Sequence, residues 1–185
     1  MTDTPQTEII SQADLVATMT TATLEVFSTM LGMEVTAGEI LTEHTVSATN
    51  TSGVVSIVGI AGVWSGTGGV ACSGTLACKL SGHFLMAEYE SVNDDVLDAV
   101  GEITNMIIGN VKTALEDRLG PMGLSTPTVI FGRNFQTRSA RSHEWTVIPF
   151  DCGTERIFVQ MCIGPNSNAS RTVRPGFQLP EVLNF

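Results

Sequence analysis

A carboxylate and an amide stand three residues apart near the middle of the sequence, and together they could do chemistry. They are Glu102 and Asn105, inside the run Gly101–Asn110. On a helix, residues three apart are neighbours, with Cβ atoms about 5–6 Å apart. Met106 and Gly109 follow closely, so an adaptable thioether and a bare backbone lie beside the pair. This combination indicates a docking surface with chemistry in it, although a capped surface helix with ordinary polar residues would show the same spacing.

The segment from Asp95 to Arg118 must position these side chains, and its pattern predicts one amphipathic helix. Asn93 can cap its start, whereas Gly120 and Pro121 can end it. The apolar side is predicted to hold Val96, Val100, Ile103, Ile107, Val111 and Ala114. The polar side is predicted to hold Asp95, Asp98, Glu102, Asn105, Gly109, Lys112 and Glu116. A glycine inside a helix costs roughly 1 kcal/mol relative to alanine, so Gly109 favours close approach of another backbone or ligand.

Other kinds of chemistry find little support in the sequence. The histidines, His44, His83 and His143, fall on unlike elements, which favours neither a metal site nor a catalytic triad. The four cysteines match no zinc or CxxC spacing, so we expect buried small apolar side chains. Gly66-Thr67-Gly68-Gly69 precedes a strand rather than a helix, which argues against a phosphate-binding loop.

Charge and hydropathy exclude several classes of partner. With 9 basic and 19 acidic residues, the net charge is −10, which argues against nucleic acid and anionic membrane surfaces. A basic exception lies between 133 and 142, where three arginines either solvate a hairpin or contact a partner. No stretch reaches the roughly 18 apolar residues of a membrane span. Residues 1–10 lack the basic start of a signal peptide, so we expect a cytoplasmic protein.

The remaining pattern predicts a repeated arrangement of one helix followed by three strands. The first repeat has a helix over 11–31 and strands over 34–50, 54–64 and 68–73, with a hairpin turn at Ser65-Gly66. A short helix over 75–86 precedes the long helix, and strands over 127–132, 144–151 and 155–163 follow it, the last two joined at Gly153-Thr154. Aligning Gly32 with Gly120 places Asp14 opposite Glu102 and Ala17 opposite Asn105. We therefore expect one site per chain, in the second repeat.

The run Asp98–Asn110 resembles the helix signature of the CheC/CheX/FliY phosphatases of bacterial chemotaxis, in which Glu-x-x-Asn is followed closely by Gly. It is more similar to CheX, because the first repeat carries no such motif. Pro127–Gly132 also resembles the family's strand that begins at a proline and ends at a glycine. The resemblance covers roughly 13–163, whereas the tail beyond Ile163 is longer than the family pattern leads us to expect.

The resemblance implies a phosphatase that hydrolyses the aspartyl-phosphate of a response regulator such as CheY. Asn105 would orient the attacking water, and Glu102 would pair with a regulator lysine. Asp98, Met106 and Gly109 would contact the partner. The protein would need no cofactor or metal of its own, since Mg²⁺ would come with the regulator. A homodimer built through sheet edges is also implied. The alternative is a catalytically silent module of the same fold that binds a regulator or a switch complex.

For the architecture, the element order predicts an α/β (α+β) two-layer sandwich of the CheC-like kind. An antiparallel sheet of about six strands would carry the two long helices on one face, with a pseudo-twofold repeat. The domain organisation follows: a loose tail over 1–10, a single CheX-like domain over 11–163, and an extended tail over 164–185.

Overall fold

A computed structural model describes residues 10–43, 51–135 and 144–166, which form three helices and eight strands. The helices are α1 (Gln12–Met30), α2 (Gly74–Leu85) and α3 (Asp94–Leu119). The strands are β1 (Thr36–Ala37), β2 (Leu41–Glu43), β3 (Thr51–Gly62), β4 (Trp64–Cys72), β5 (Met122–Leu124), β6 (Thr128–Phe135), β7 (Trp145–Cys152) and β8 (Glu155–Pro165).

All eight strands join one antiparallel sheet with the order β1-β7-β8-β4-β3-β5. At one edge β1 and β2 both pair with β7, and at the other β5 and β6 both pair with β3. Each of these edge pairs is one interrupted ribbon, so the eight strands make six ribbons. The predicted sheet of about six antiparallel strands is therefore confirmed.

The predicted repeat is present, and its two halves are interlocked. In chain order, α1 is followed by the β1/β2 ribbon, β3 and β4, while α3 is followed by the β5/β6 ribbon, β7 and β8. Each edge ribbon pairs with the other repeat: β1/β2 with β7, and β5/β6 with β3. The strands β4 and β8 meet at the centre of the sheet. This exchange ties the two repeats into one sheet.

The helices pack on one face of the sheet over a single apolar core. Alternate strand residues such as Val54, Val58 and Val70 are buried in this core together with the apolar sides of α1, α2 and α3. The long helix comes very close to β4 at Gly68, where an added Cβ would lie 2.8 Å from Ile108 Cδ1. The absence of a side chain there lets Ile108, fully buried, rest on the backbone of the strand.

The predicted helix ends are confirmed by capping hydrogen bonds. The Asn93 side chain accepts a bond from Val96 N at 3.0 Å, and Ser11 Oγ accepts one from Asp14 N at 3.1 Å. Gly32 and Gly120 follow α1 and α3 with φ of +59° and +83°, a backbone region that favours glycine. Thr23 is buried inside α1, where its hydroxyl donates to Met19 O at 2.8 Å.

Two local predictions are wrong. Ser65-Gly66 lies inside β4, because the β3–β4 register centres the turn on the exposed Val63. Ala114 is exposed rather than part of the apolar side of α3; the buried stripe of α3 continues through Leu115 instead. The turn at Gly153-Thr154 is confirmed, with Gly153 at φ +66°, which suits a two-residue hairpin.

Some predictions lie outside the described residues. These are the N-terminal tail over 1–9, the second part of the strand predicted over 34–50, and most of the arginine loop between 133 and 142. The C-terminal tail is described only as far as Asn166, which donates hydrogen bonds to Val63 O and Gly62 O. Among the described residues, no helix combines the length and apolar character needed to cross a membrane.

Candidate functional site

The two predicted site residues lie on α3 in different surroundings. Glu102 is exposed, whereas Asn105 is half-buried. An α-helix turns about 100° per residue, so three residues bring Asn105 about 60° away from Glu102 around the axis. Glu102 therefore points away from the sheet, and Asn105 lies toward one flank of the helix. A long helix, capped at its start and packed along its length, holds both positions rigidly.

The flank on which Asn105 lies is bordered by the β5/β6 ribbon. An added Cβ at Gly101 would lie 3.3 Å from Val129 Cγ2 and 3.6 Å from Pro127 Cβ. An added Cβ at Gly109 would lie 3.8 Å from Leu124 Cδ1. Asn105 is four residues from each of these glycines, about 6 Å along the axis, and lies between them in rotation. It therefore faces the part of the ribbon between Leu124 and Pro127, here called the α3–ribbon border.

The ribbon carries an irregularity at this point. Leu124 pairs with Ile60 and Thr128 with Ile57, so three ribbon residues stand opposite two residues of β3. These three residues, Ser125-Thr126-Pro127, form a β-bulge, a feature that is common at sheet edges and next to active sites. Ser125 N donates to Gly59 O at 2.9 Å, and Gly59 N donates to Ser125 Oγ at 2.9 Å. Ser125 Oγ also donates to Thr126 O at 2.9 Å.

A second contact fastens the start of β5 to α3. Glu116 Oε1 accepts a hydrogen bond from Met122 N at 2.8 Å, and Glu116 Oε2 lies 2.8 Å from Lys112 Nζ. The Lys112 ammonium, followed by the backbone amide of Met122, holds the pKa of the Glu116 carboxyl below its usual range. The start of β5 is thereby held against the helix that carries Glu102 and Asn105.

The predicted partner contacts are distributed unevenly around α3. Asp98 is exposed, and helical rotation puts it between Asn105 and Glu102. Gly109 is half-buried beside Leu124, so it lies at the α3–ribbon border rather than in open solvent. Met106 is half-buried and packs against the core on the opposite flank. The helix thus brings Asp98, Glu102, Asn105 and Gly109 together on one side, with Met106 at the far edge.

The exposed half of this surface is acidic. The first turns of α3 carry Asp94, Asp95, Asp98 and Glu102, all exposed. The next basic residue along the helix, Lys112, pairs with Glu116. This arrangement suits a partner that presents a cationic side chain.

His83 and the four cysteines take structural positions. His83 Nδ1 lies 3.0 Å from Leu31 O, while His44 and His143 lie outside the described residues. All four cysteines are buried, and burial raises the pKa of Cys72 to about 12, which leaves its thiol protonated and unreactive at neutral pH. Across residues 10–43, 51–135 and 144–166, no three His, Cys, Asp or Glu side chains converge as metal ligands.

Sequence reasoning missed the contribution of the ribbon. Gly101 allows α3 to approach Pro127 and Val129, and Ser125 fixes the bulge, but the prediction began the strand at Pro127 and gave neither residue a role. A signal was present in Ser125-Thr126-Pro127, since serine and proline between two short apolar runs indicate an irregular strand.

Comparisons with known proteins agree with this fold. Residues 54–151, more than half of the chain, match the family model described as chemotaxis phosphatase CheX. No curated protein sequence matches this chain. A CheX crystal structure from Desulfovibrio desulfuricans is 27% identical, with 82% of this chain and 99% of that chain covered and a TM-score of 0.73.

Two further solved structures share the fold at lower identity. A CheC-like superfamily protein from Shewanella sp. PV-4 is 24% identical, covering 83% of this chain and 99% of its own, with a TM-score of 0.74. The CheX chain of a CheX–CheY–BeF3–Mg²⁺ complex from Borrelia burgdorferi is also 24% identical, covering 81% and 97%, with a TM-score of 0.69. With the family model matching most of the sheet and all of α3, the chain belongs to the CheX family of chemotaxis phosphatases.

Proposed function

We propose that this protein removes the phosphoryl group from the phospho-aspartate of a CheY-like response regulator. Membership of the chemotaxis phosphatase family supports the class of reaction. The observation that carries the proposal is the placement of an exposed carboxylate, Glu102, and a half-buried amide, Asn105, three residues apart on one rigid helix. Both side chains can reach into the active site of a partner that docks on α3.

The phosphatase needs to supply few catalytic groups, because an acyl phosphate is already activated for hydrolysis. A water oxygen attacks phosphorus in line and the bond from phosphorus to the aspartyl oxygen breaks. Inorganic phosphate departs with both protons of the water, and the aspartyl carboxylate is regenerated on the regulator. The Asn105 side-chain oxygen accepts a hydrogen bond from this water and fixes its direction of approach. A neutral amide suits this position, since it adds no negative charge next to the phosphoryl oxygens.

Glu102 serves as an anchor in this proposal. It is exposed and surrounded by further carboxylates on the first turns of α3, so it attracts a cationic side chain of the partner. A lysine in the regulator's active site would form a charge-assisted hydrogen bond with it. A carboxylate acting as a base on the water would instead approach the phosphoryl oxygens and be repelled.

The partner supplies the metal in this proposal. The Borrelia burgdorferi complex contains CheY, BeF3 and Mg²⁺ together with CheX, and we infer a partner of the same class for this chain. Mg²⁺ bound by the regulator would neutralise the phosphoryl oxygens during attack. We also infer that the protein works in the cytoplasm, where such regulators act, and that it forms a homodimer through a sheet edge.

The test is the rate of phosphate loss from purified receiver domains of the same organism, each phosphorylated with a small-molecule donor. Catalytic amounts of the protein should accelerate the loss from at least one receiver domain. A receiver domain that binds the protein but loses phosphate at its spontaneous rate would favour the silent binding module of the same fold. No binding and no acceleration for any receiver would overturn both.

A further inference from the structure

The bulge in the β5/β6 ribbon forms one side of the candidate site. Asn105 lies midway along α3 between Gly101 and Gly109, where an added Cβ would meet the ribbon at Pro127 and at Leu124 respectively. The helix therefore runs close beside the ribbon over this span. Asn105, half-buried, lies on the helix flank that borders the bulge Ser125-Thr126-Pro127.

The bulge is held at this place by Ser125 rather than by the regular ladder. The extra residue breaks the pairing of the ribbon with β3, but Ser125 replaces it with a bond in each direction to Gly59. The Ser125 hydroxyl also donates to the carbonyl oxygen of Thr126, so this one oxygen ties β3 to the bulge and fixes the backbone on both sides of Thr126. Thr126 itself is exposed.

A fixed bulge beside Asn105 would limit the side-chain freedom of that residue. A helical asparagine in open solvent samples several rotamers, and its terminal amide turns freely. A rigid bulge on one flank would remove part of that rotamer freedom before the substrate binds. Orientation of a reacting group supplies much of the reduction in activation free energy available to an enzyme. The proposed mechanism depends on the direction of the Asn105 amide, so a bulge that restricts this amide would affect the rate of phosphate release.

Resting on the proposed function, we propose that Ser125 is a positioning residue for phosphatase activity and that it acts through the bulge on the amide of Asn105. Its loss should lower kcat and leave the affinity for the regulator nearly unchanged, because the acidic outer surface of α3, which binds the partner, does not touch the bulge.

The experiment compares Ser125→Ala, Ser125→Thr and Ser28→Ala with the wild-type chain. Ser125→Thr keeps the hydroxyl. Ser28 is an exposed serine of α1 whose hydroxyl also donates to a backbone carbonyl, that of Glu25, at 3.1 Å, so it controls for loss of one such bond. The measurements are kcat for phosphate release, the dissociation constant for the beryllofluoride-bound regulator, and the side-chain amide resonances of Asn105 in the free protein.

For Ser125→Ala we expect kcat to fall roughly three- to tenfold, with the dissociation constant changed by less than about twofold. The Asn105 amide resonances should shift, and Ser125→Thr should restore both kcat and the resonances. Ser28→Ala should behave as wild type. Unchanged kcat and resonances in Ser125→Ala, with full activity lost in Asn105→Ala, would overturn the positioning role and leave the proposed function standing. A wild-type chain that does not accelerate phosphate loss would instead overturn the proposed function.

Discussion

The two candidate site residues of α3 differ in how far neighbouring elements bury them. Within the described part of the chain Glu102 is exposed, whereas Asn105 is half-buried on the flank that borders the ribbon. The difference follows from helical rotation and from two glycines that let the ribbon lie against the helix. The proposed roles follow this difference: Glu102 is open to a side chain of the partner, and Asn105 is bordered on one flank by the ribbon.

The two glycines beside Asn105 should respond differently to alanine. Gly109→Ala places a methyl group at an ordinary contact distance of 3.8 Å from Leu124, so better helix propensity should raise the free energy of unfolding by up to about 1 kcal/mol. Gly101→Ala places it at 3.3 Å from Val129, where the edge strand must give way, so the gain should be smaller or reversed. Urea unfolding of both variants measures this, and a larger gain at Gly101 would contradict the packing described here.

At the scale of the elements, side-chain contacts hold the β5/β6 ribbon and α3 together. Glu116 connects them, since it accepts a hydrogen bond from the first residue of β5 and pairs with Lys112. Two residues further along α3, Arg118 pairs with Asp14 near the start of α1 at 3.1 Å. Carboxylates therefore link α3 to the ribbon and to α1 near its C-terminal end.

The Glu116 contact should make stability depend on pH in a defined direction. The Lys112 ammonium keeps the pKa of folded Glu116 below its usual value of 4.5. A carboxyl whose pKa is lower in the folded state stabilises the fold above its unfolded pKa, and the effect is lost as pH falls through the folded pKa. The stability difference between wild type and Glu116→Gln should thus be largest at neutral pH and shrink below about pH 4.5.

Unfolding in urea at a series of pH values checks this. Asp117→Asn, an exposed carboxylate on the same helix, controls for the loss of one negative charge. A difference between wild type and Glu116→Gln that grew on acidification would show that the carboxyl is not held in its charged form by the fold.

At the scale of the whole molecule, the sequence predicts the elements and their repeat well but not the way the repeats join. Periodicity reports which side of α3 is apolar, and the caps at Asn93 and Ser11 are local signals. The exchange of edge ribbons between repeats pairs β1 with β7 and β5 with β3 over long sequence distances, which no local pattern encodes. The sequence could signal an irregular strand at Ser125-Thr126-Pro127, but its place beside α3 follows from that long-range pairing and could not be predicted.

Phosphate release should require Mg²⁺ because the regulator binds this ion, and the isolated protein should not need it for its own stability. With EDTA in excess, phosphate loss from the regulator should no longer be accelerated, because the regulator loses its metal. The melting temperature of the isolated protein should stay unchanged in the same buffer, since a ligand that is not bound cannot stabilise the fold. A fall in melting temperature on chelation, reversed by a divalent ion, would show that the chain holds a structural or catalytic metal of its own.

The central claim concerns the amide of Asn105, and the most direct test separates binding from catalysis at that residue. The variants are Asn105→Ala, Glu102→Ala and, as a matched control, Asn110→Ala, which removes an exposed amide from another side of the same helix. For each, the measurements are the dissociation constant for the beryllofluoride-bound regulator and the rate of phosphate release. Asn105→Ala should bind nearly as the wild type and lose its acceleration, Glu102→Ala should weaken both, and Asn110→Ala should change neither. Acceleration that survives in Asn105→Ala would contradict the account.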